Sequence, residues 1–142
     1  MKRKICICGV IGSVVVLANP AAAQWTVLQI VDLTELGMST ESGEATLYRL
    51  PDAGGANCKI QVVHFGETGK TIHDFEFGSR LSSAEKKEFR YKVPLSVNAK
   101  AKPILTEKLS LASPKGRDVL PKEFEAYKSA FDPKQLAKCT KR

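Results

Sequence analysis

The sequence predicts an α+β domain that is mostly β, with about six antiparallel strands in a sandwich or curved sheet and a C-terminal helix packed on the sheet. Two observations predict this class. Short β-rich segments separated by turn-forming residues follow one another between residues 25 and 111. Beyond residue 116, the apolar spacing changes to that of a helix with one aromatic stripe. No repeat or long linker interrupts the chain, so one domain is expected.

The N-terminal segment, residues 1–23, has the order of a secretory signal peptide. Three basic residues precede an apolar run of 14 residues, Ile5–Ala18, and small side chains at Ala21 and Ala23 form a cleavage site. The run is shorter than the roughly 20 residues that a membrane-spanning helix needs, which disfavours a retained anchor. We therefore expect cleavage near Ala23 and a single exported domain, residues 24–142, that is periplasmic or secreted and keeps no transmembrane segment.

Cysteine usage is consistent with export. Two cysteines leave with the signal peptide, so the mature chain keeps Cys58 and Cys139. A pair of cysteines in an exported chain predicts one disulfide. It would close a loop of about 80 residues and contribute roughly 4 kcal/mol in the chain-entropy model. A redox or metal-binding pair is the alternative, but the pair lacks Cys-x-x-Cys spacing.

The first strands come before Cys58. Residues 25–33 are rich in aliphatic and β-branched side chains and carry no helix start signal, which predicts a strand. A polar segment separates it from a second strand candidate, Ala45–Leu50. The proline, glycines and asparagine of residues 51–57 then predict a loop that leads to Cys58.

A β-hairpin is predicted over residues 59–77. With Thr68 and Gly69 as its loop and Gly69 at positive φ, His64 lies opposite His73. One face of this hairpin is apolar and ends in the two histidines. Its apolar members are Ile60, Val62, Phe75 and Phe77.

The region that follows combines a helix signal with a strand signal. Ser82 and Glu85 match a capping box, which predicts one or two helical turns. Residues 89–101 then alternate apolar and polar, which predicts a strand or a bent pair of strands. Proline and lysine on its polar face favour a position at the sheet edge. Residues 104–111 supply one further strand candidate, before a turn at residues 113–116.

Two helices are predicted at the C-terminus. Pro121 suits a first helical position, and Phe124, Tyr127 and Phe131 form an aromatic stripe that should dock on the sheet. Asp132-Pro133 predicts a second N-terminus and a short helix that carries Cys139.

The two histidines, His64 and His73, are candidate metal ligands because the predicted register places their rings together. Zinc needs three or four ligands, and only Asp74 or a residue from elsewhere in the chain could complete the set. The alternative interpretation is a half-buried pair at the rim of the sheet. Close imidazoles also disfavour double protonation, so the pair could sense mildly acidic pH.

A basic stripe is the largest charge asymmetry in the sequence. Its members are Lys86, Lys87, Arg90, Lys92, Lys100 and Lys102, of which Arg90, Lys92, Lys100 and Lys102 are the candidate binding residues. The whole chain carries a net charge of +7, and loss of the signal leaves 19 basic against 15 acidic residues, or +4. The stripe fits an anionic partner, with a plain solvated edge as the alternative. Nucleic acid is not expected because the neighbouring aromatic residues are predicted to face the other way.

These patterns predict a non-enzymatic exported binding module that recognises an envelope or secreted macromolecule, either a protein or an anionic envelope component. No nucleophile elbow, phosphate loop or calcium loop is present in the sequence, and no cofactor is expected. The alternative is a small hydrolase or metal-dependent enzyme built on His64 and His73. A further alternative is an assembly subunit that adds an edge strand to a neighbour.

Overall fold

A computed structural model describes residues 24–51 and 56–140. It confirms the predicted class, with six antiparallel strands in one sheet in sequence order and a C-terminal helix packed on it. The strands are β1 (Thr26–Asp32), β2 (Ser42–Arg49), β3 (Cys58–Phe65), β4 (Gly69–Phe77), β5 (Leu81–Tyr91) and β6 (Pro103–Ser110). The helices are α1 (Pro114–Lys128), α2 (Pro133–Leu136) and a final 3-10 turn (Ala137–Cys139).

The two faces of the sheet have different environments. One face, called the helix side here, packs against α1, where Phe124 contacts Phe75 and Phe77 with ring centroids 5.7 and 5.1 Å apart. The other face, called the open face, carries an ion-pair network that includes Lys59–Asp74, at 2.6 Å. The buried core lies on the helix side; its members from the central strands are Ala45, Leu47, Cys58, Ile60, Val62, Phe75 and Phe77.

The β3–β4 hairpin forms, but the predicted register is wrong by two residues. Val62 lies opposite His73, and His64 lies opposite Thr71. The backbone N–H of Gly66 donates to the carbonyl of Gly69, at 2.9 Å, so Glu67 and Thr68 form the turn. An offset of two keeps every side chain on its predicted face, because faces alternate with a period of two.

Gly69 meets a steric requirement rather than the predicted positive φ, which among the described glycines occurs only at Gly37. A Cβ atom on Gly69 would overlap the carbonyl oxygen of Phe89 on the neighbouring strand. The glycine therefore allows β4 and β5 to approach each other at the first residue of β4.

Two predictions for β5 are wrong. The capping-box residues Ser82 and Glu85 lie within this strand, because pairing with β4 on one side and β6 on the other overrides a local helix signal. The strand ends at Tyr91 and is not an edge, and residues 92–102 form its connection to β6. The edges of the sheet are β1 and β6.

Helix α1 begins seven residues before the predicted Pro121. Ser113 is the N-cap, its hydroxyl accepts from the Gly116 N–H at 3.1 Å, and Pro114 takes the first position. Pro121 lies inside the helix, where it lacks one backbone donor. The expected docking of the aromatic stripe on the sheet is confirmed, although Phe131 lies beyond the end of the helix.

The C-terminus is fastened to the sheet. Asp132 caps α2 as predicted, accepting from the Lys134 N–H at 2.7 Å. Cys58 and Cys139 form the expected disulfide, with their Cα atoms 5.3 Å apart, and both are fully buried. Such a bond is compatible with an oxidising compartment.

The predicted signal peptide, residues 1–23, lies outside the described residues and stays a prediction. In the part of the chain that the structure covers, no helix has the length and apolar character needed to cross a membrane.

Candidate functional site

The candidate binding residues come together at one end of the sheet, although not along one strand. We call this the hairpin end: the end of β3, the β3–β4 turn, the start of β4, the end of β5, the connection 92–102 and the start of β6. Arg90 lies opposite Gly69, near the end of β5. Lys92, Lys100 and Lys102 lie in the connection, and Lys102 directly precedes β6. Of the predicted strand 89–101, only residues 89–91 are in a strand, and the rest belongs to the connection.

Long-range hydrogen bonds hold the connection against the hairpin turn. The backbone N–H groups of Tyr91 and Leu95 donate to the carbonyls of Thr68 and Glu67, at 2.9 and 3.1 Å. The N–H of Ser96 donates to the carboxylate of Glu67 at 2.7 Å. Hydrogen bonding from the Ser96 side chain and from its backbone N–H lowers the pKa of Glu67. The loop lysines are therefore carried on an ordered segment rather than a free one.

The cations of the hairpin end lack carboxylate partners. Within the described residues, no carboxylate lies within 4 Å of Arg90, Lys92, Lys100 or Lys102, or of Lys70 at the start of β4. The Lys70 ammonium instead lies over the ring of Phe89, 5.3 Å from its centroid. Their charge is therefore available to an external anion.

The two other members of the predicted basic stripe point to opposite faces. Lys87 pairs with Glu85 on the open face. Lys86 lies on the helix side, 3.6 Å from Glu123 of α1. Both charges are compensated inside the molecule, so the stripe reduces to the residues of the hairpin end.

Exposed apolar side chains accompany these cations. Among the described residues, nine large hydrophobic side chains are exposed, and five of them lie at this end: Phe65, Val93, Val97, Ile104 and Leu105. Phe65, Lys70, Phe89 and Leu105 follow one another across β3 to β6 in one row of the open face. The hairpin end thus combines cations that are not in ion pairs with exposed apolar side chains, and interfaces commonly combine the two.

His64 and His73 lie on the helix side as diagonal neighbours, with ring centroids 5.9 Å apart. The Nε2 of His64 shares a hydrogen bond with the Tyr127 hydroxyl at 2.9 Å, and its Nδ1 lies 3.3 Å from the Ser39 Oγ. Partial burial and the Lys86 charge lower the pKa of His64. Burial, with a smaller contribution from Glu123, raises the pKa of Tyr127 to about 12, so its phenol stays neutral.

His73 is not at the rim of the sheet. Its side chain is 2% exposed beneath the ring of Tyr127, and neither ring nitrogen has a hydrogen-bond partner in the described structure. Burial, then the charges of Lys86 and His64, lowers the pKa of His73 to about 3. The ring is therefore neutral at physiological pH. Burying its two nitrogens without hydrogen bonds lowers the stability of the fold.

The described residues give the predicted metal site no third ligand. Asp74 points to the open face, where it pairs with Lys59, so it cannot join the histidines. Adjacent residues of a strand point to opposite faces, which excludes that combination. Across residues 24–51 and 56–140, no three histidine, cysteine or acidic side chains form a group suited to a metal ion.

A polar cleft of about 440 Å³ opens beside His64, where α1 no longer covers the sheet. The segment 37–41 forms one wall, and Thr71, Glu88 and Arg90 contribute to the other. Gly43 lets Ser39 and His64 approach each other, since a Cβ atom there would lie within 3.1 Å of both. A serine beside a histidine at an open cleft is a combination that a hydrolase can use. The alternative of a small hydrolase stays a prediction.

Sequence reasoning missed Lys70, Ser39 and Tyr127 as members of these two regions. Lys70 could have been found, because its position in the hairpin places it beside the end of β5. Ser39 and Tyr127 are 25 and 63 residues from His64 in the chain, and no local pattern connects them.

No family model, no curated protein and no solved structure matches this chain.

Proposed function

We propose that this chain is an exported, non-enzymatic binding module that recognises an anionic envelope or secreted macromolecule through its hairpin end. One observation carries the proposal: five cations that have no carboxylate partner among the described residues share this end with exposed apolar side chains. Their positions are Lys70, Arg90, Lys92, Lys100 and Lys102.

The energetics of this surface favour recognition of a polyanion. Cations without a carboxylate partner attract an anion without first breaking an ion pair. The guanidinium of Arg90 can bind an oxyanion with two parallel hydrogen bonds, whereas lysines contribute mobile point charges. The adjacent apolar side chains add contact area that salt does not screen. Binding should therefore weaken with salt but survive moderate ionic strength.

The test compares two variants with the same change in charge. The hairpin-end variant carries Arg90→Gln, Lys92→Gln and Lys100→Gln. The control carries Arg80→Gln, Lys134→Gln and Lys138→Gln; its three positions are exposed and lie in the β4–β5 turn or in the C-terminal helices. Both variants lose three positive charges, so a nonspecific effect of net charge would affect them equally.

Each protein is titrated with three probes: phosphatidylglycerol vesicles, phosphatidylcholine vesicles and a soluble acidic polysaccharide. We expect the wild type and the control to bind at least one anionic probe, and the hairpin-end variant to bind it about tenfold or more weakly. Equal loss of binding in both variants, or no binding of the wild type to either anionic probe, would refute the proposal.

A further inference from the structure

The exposed apolar side chains of the hairpin end lie on both faces of the sheet. Phe65 and Leu105 belong to the open face, where Leu105 lies opposite Phe89, and they are 50% and 49% exposed. Ile104 lies opposite Arg90 on the helix side and is 46% exposed. A partner that covered one flat face would leave the other group of side chains in water. The apolar surface is therefore the end of the sheet rather than either face.

Two further apolar side chains belong to the connection 92–102. Val93 and Val97 are 38% and 74% exposed, and Val97 is the most exposed large hydrophobic side chain in the described part of the chain. Its backbone N–H donates to the carbonyl of Pro94 at 3.0 Å, in a segment that is hydrogen-bonded to the hairpin turn. The backbone that carries these valines is therefore ordered, and it holds them outside the core.

The same segments carry an excess of positive charge. Residues 65–71 and 89–105 contain five basic side chains and one acidic side chain, Glu67, whose carboxylate is hydrogen-bonded to the connection. The next carboxylates along β5 and β6, Glu88 and Glu107, already pair with lysines, at 3.4 and 3.0 Å. The apolar side chains are therefore surrounded by cations that attract an anionic partner.

Negative charge at this end of the sheet lies on the side of β1 and β2. Residues 32–44, which join these two strands, carry four acidic side chains and no basic one. Glu41 lies nearest to the hairpin turn, where its carboxylate accepts from the Glu67 N–H at 3.1 Å. An anionic surface is therefore contacted by the side that β4, β5 and β6 form, and not by the side of β1 and β2.

A lipid bilayer with anionic headgroups is complementary to both properties. Its headgroups offer phosphate oxygens to arginine and lysine, and the acyl boundary beneath them surrounds apolar side chains that project from both faces of a sheet. Lysine side chains are long enough to reach the phosphates while their stems lie against apolar neighbours. A soluble acidic polysaccharide would neutralise the cations but would give the apolar side chains no apolar environment.

We propose that the hairpin end is a membrane-contact surface. Its β4–β6 side inserts the exposed apolar side chains among the headgroups of an anionic bilayer, and Lys70, Arg90 and the lysines of the connection bind the phosphates. Such contact is peripheral and reversible, and the sheet meets the bilayer by its end. The inference rests on the proposed function, because it names the class of anion that the same cations bind.

The experiment removes apolar side chains without changing the charge. The apolar variant carries Val93→Ser and Val97→Ser. The matched control carries Val27→Ser and Ile30→Ser on β1, at positions that are 51% and 58% exposed and lie outside the hairpin end. Each protein is titrated at one ionic strength with phosphatidylglycerol vesicles, phosphatidylcholine vesicles and the soluble acidic polysaccharide.

We expect the wild type and the control to bind phosphatidylglycerol vesicles, and to bind phosphatidylcholine vesicles far more weakly because these lack net negative charge. The apolar variant should bind the phosphatidylglycerol vesicles about tenfold or more weakly, since less apolar surface leaves water. It should bind the polysaccharide as the wild type does. Unchanged binding to the polysaccharide would also show that the variant is folded and that its cations are in place.

The remaining outcomes separate this inference from the proposed function. A wild type that binds neither anionic probe would refute both. A wild type that binds the polysaccharide but not the phosphatidylglycerol vesicles would overturn the membrane contact alone. An apolar variant that binds these vesicles as tightly as the wild type, or that loses both anionic probes equally, would overturn it as well, and so would an equal loss of vesicle binding in the control.

Discussion

Acidification should destabilise this fold through His73, and replacing the ring with phenylalanine should remove most of the effect. The side chain is 2% exposed and its pKa is about 3, against 6.5 for an ordinary histidine. Between these values the unfolded chain binds a proton that the folded chain cannot bind. His73 therefore leaves the free energy of unfolding undiminished above about pH 6.5, and it lowers that free energy progressively as the pH falls towards 3.

The size of the effect follows from linkage. One pKa unit corresponds to roughly 1.4 kcal/mol, so lowering the pH from about 7.5 to about 5 should reduce the free energy of unfolding by about 2 kcal/mol. His64 acts in the same direction, because its pKa is also lowered. The lowered pKa values of Glu67 and Glu85 act only below their ordinary range near 4.5, outside this window.

The assay is urea unfolding followed by far-ultraviolet circular dichroism at the two pH values. The wild type should lose about 2 kcal/mol, and His73→Phe should lose much less, since Phe75 and Tyr127 already provide an aromatic environment. The comparison is made within each protein, so a change in overall stability does not affect it. A wild type with equal stability at both values, or a variant that loses as much as the wild type, would refute the reasoning.

Two further predictions concern what holds α1 and the C-terminus on the sheet. Phe124→Ala should lower the free energy of unfolding by about 3 to 5 kcal/mol, because this ring is 3% exposed and packs on Phe75 and Phe77. The matched control, Ile104→Ala at a 46% exposed position, should change it by no more than about 0.5 kcal/mol in the same urea assay. Replacing both Cys58 and Cys139 with alanine should cost roughly 4 kcal/mol, since the bond joins residues 81 apart. A double variant with the melting temperature of the wild type would contradict that value.

Much of the fold could be predicted because its signals are local. Two β-rich runs indicated β3 and β4, and the turn residues between them indicated a hairpin. The predicted register is wrong by two residues because Gly66 and Gly69 both suit a turn. The requirement that fixes the position of Gly69 is its close approach to the Phe89 carbonyl, which involves β4 and β5 rather than the two strands of the hairpin.

The errors around β5 and α1 arise where tertiary contacts override local patterns. Ser82 and Glu85 suit a helix start in isolation, but the strand that contains them is paired on both sides. The alternation of residues 89–101 continues past Tyr91, whereas the strand stops because the connection bonds to Thr68 and Glu67. For α1, Pro114 and Pro121 both suit a first position, and the Ser113 cap favours the earlier one.

The candidate site could be predicted in composition but not in arrangement. Arg90, Lys92, Lys100 and Lys102 were identified as a group from a predicted strand, but β5 ends at Tyr91 and leaves the three lysines in the connection. They nevertheless come together, because the connection 92–102 folds back onto the hairpin turn through Glu67 and Ser96. A hydrogen bond between residues 29 apart has no local signature in the sequence.

The most direct test of the central claim is to map where an anionic ligand binds. Backbone amide chemical shifts would be recorded while the acidic polysaccharide is added to the wild-type protein. The proposed function predicts that perturbations concentrate at residues 66–71 and 90–105 and shrink as salt is added. Perturbations centred on α1 or on the β4–β5 turn, or spread evenly over all exposed lysines, would contradict it.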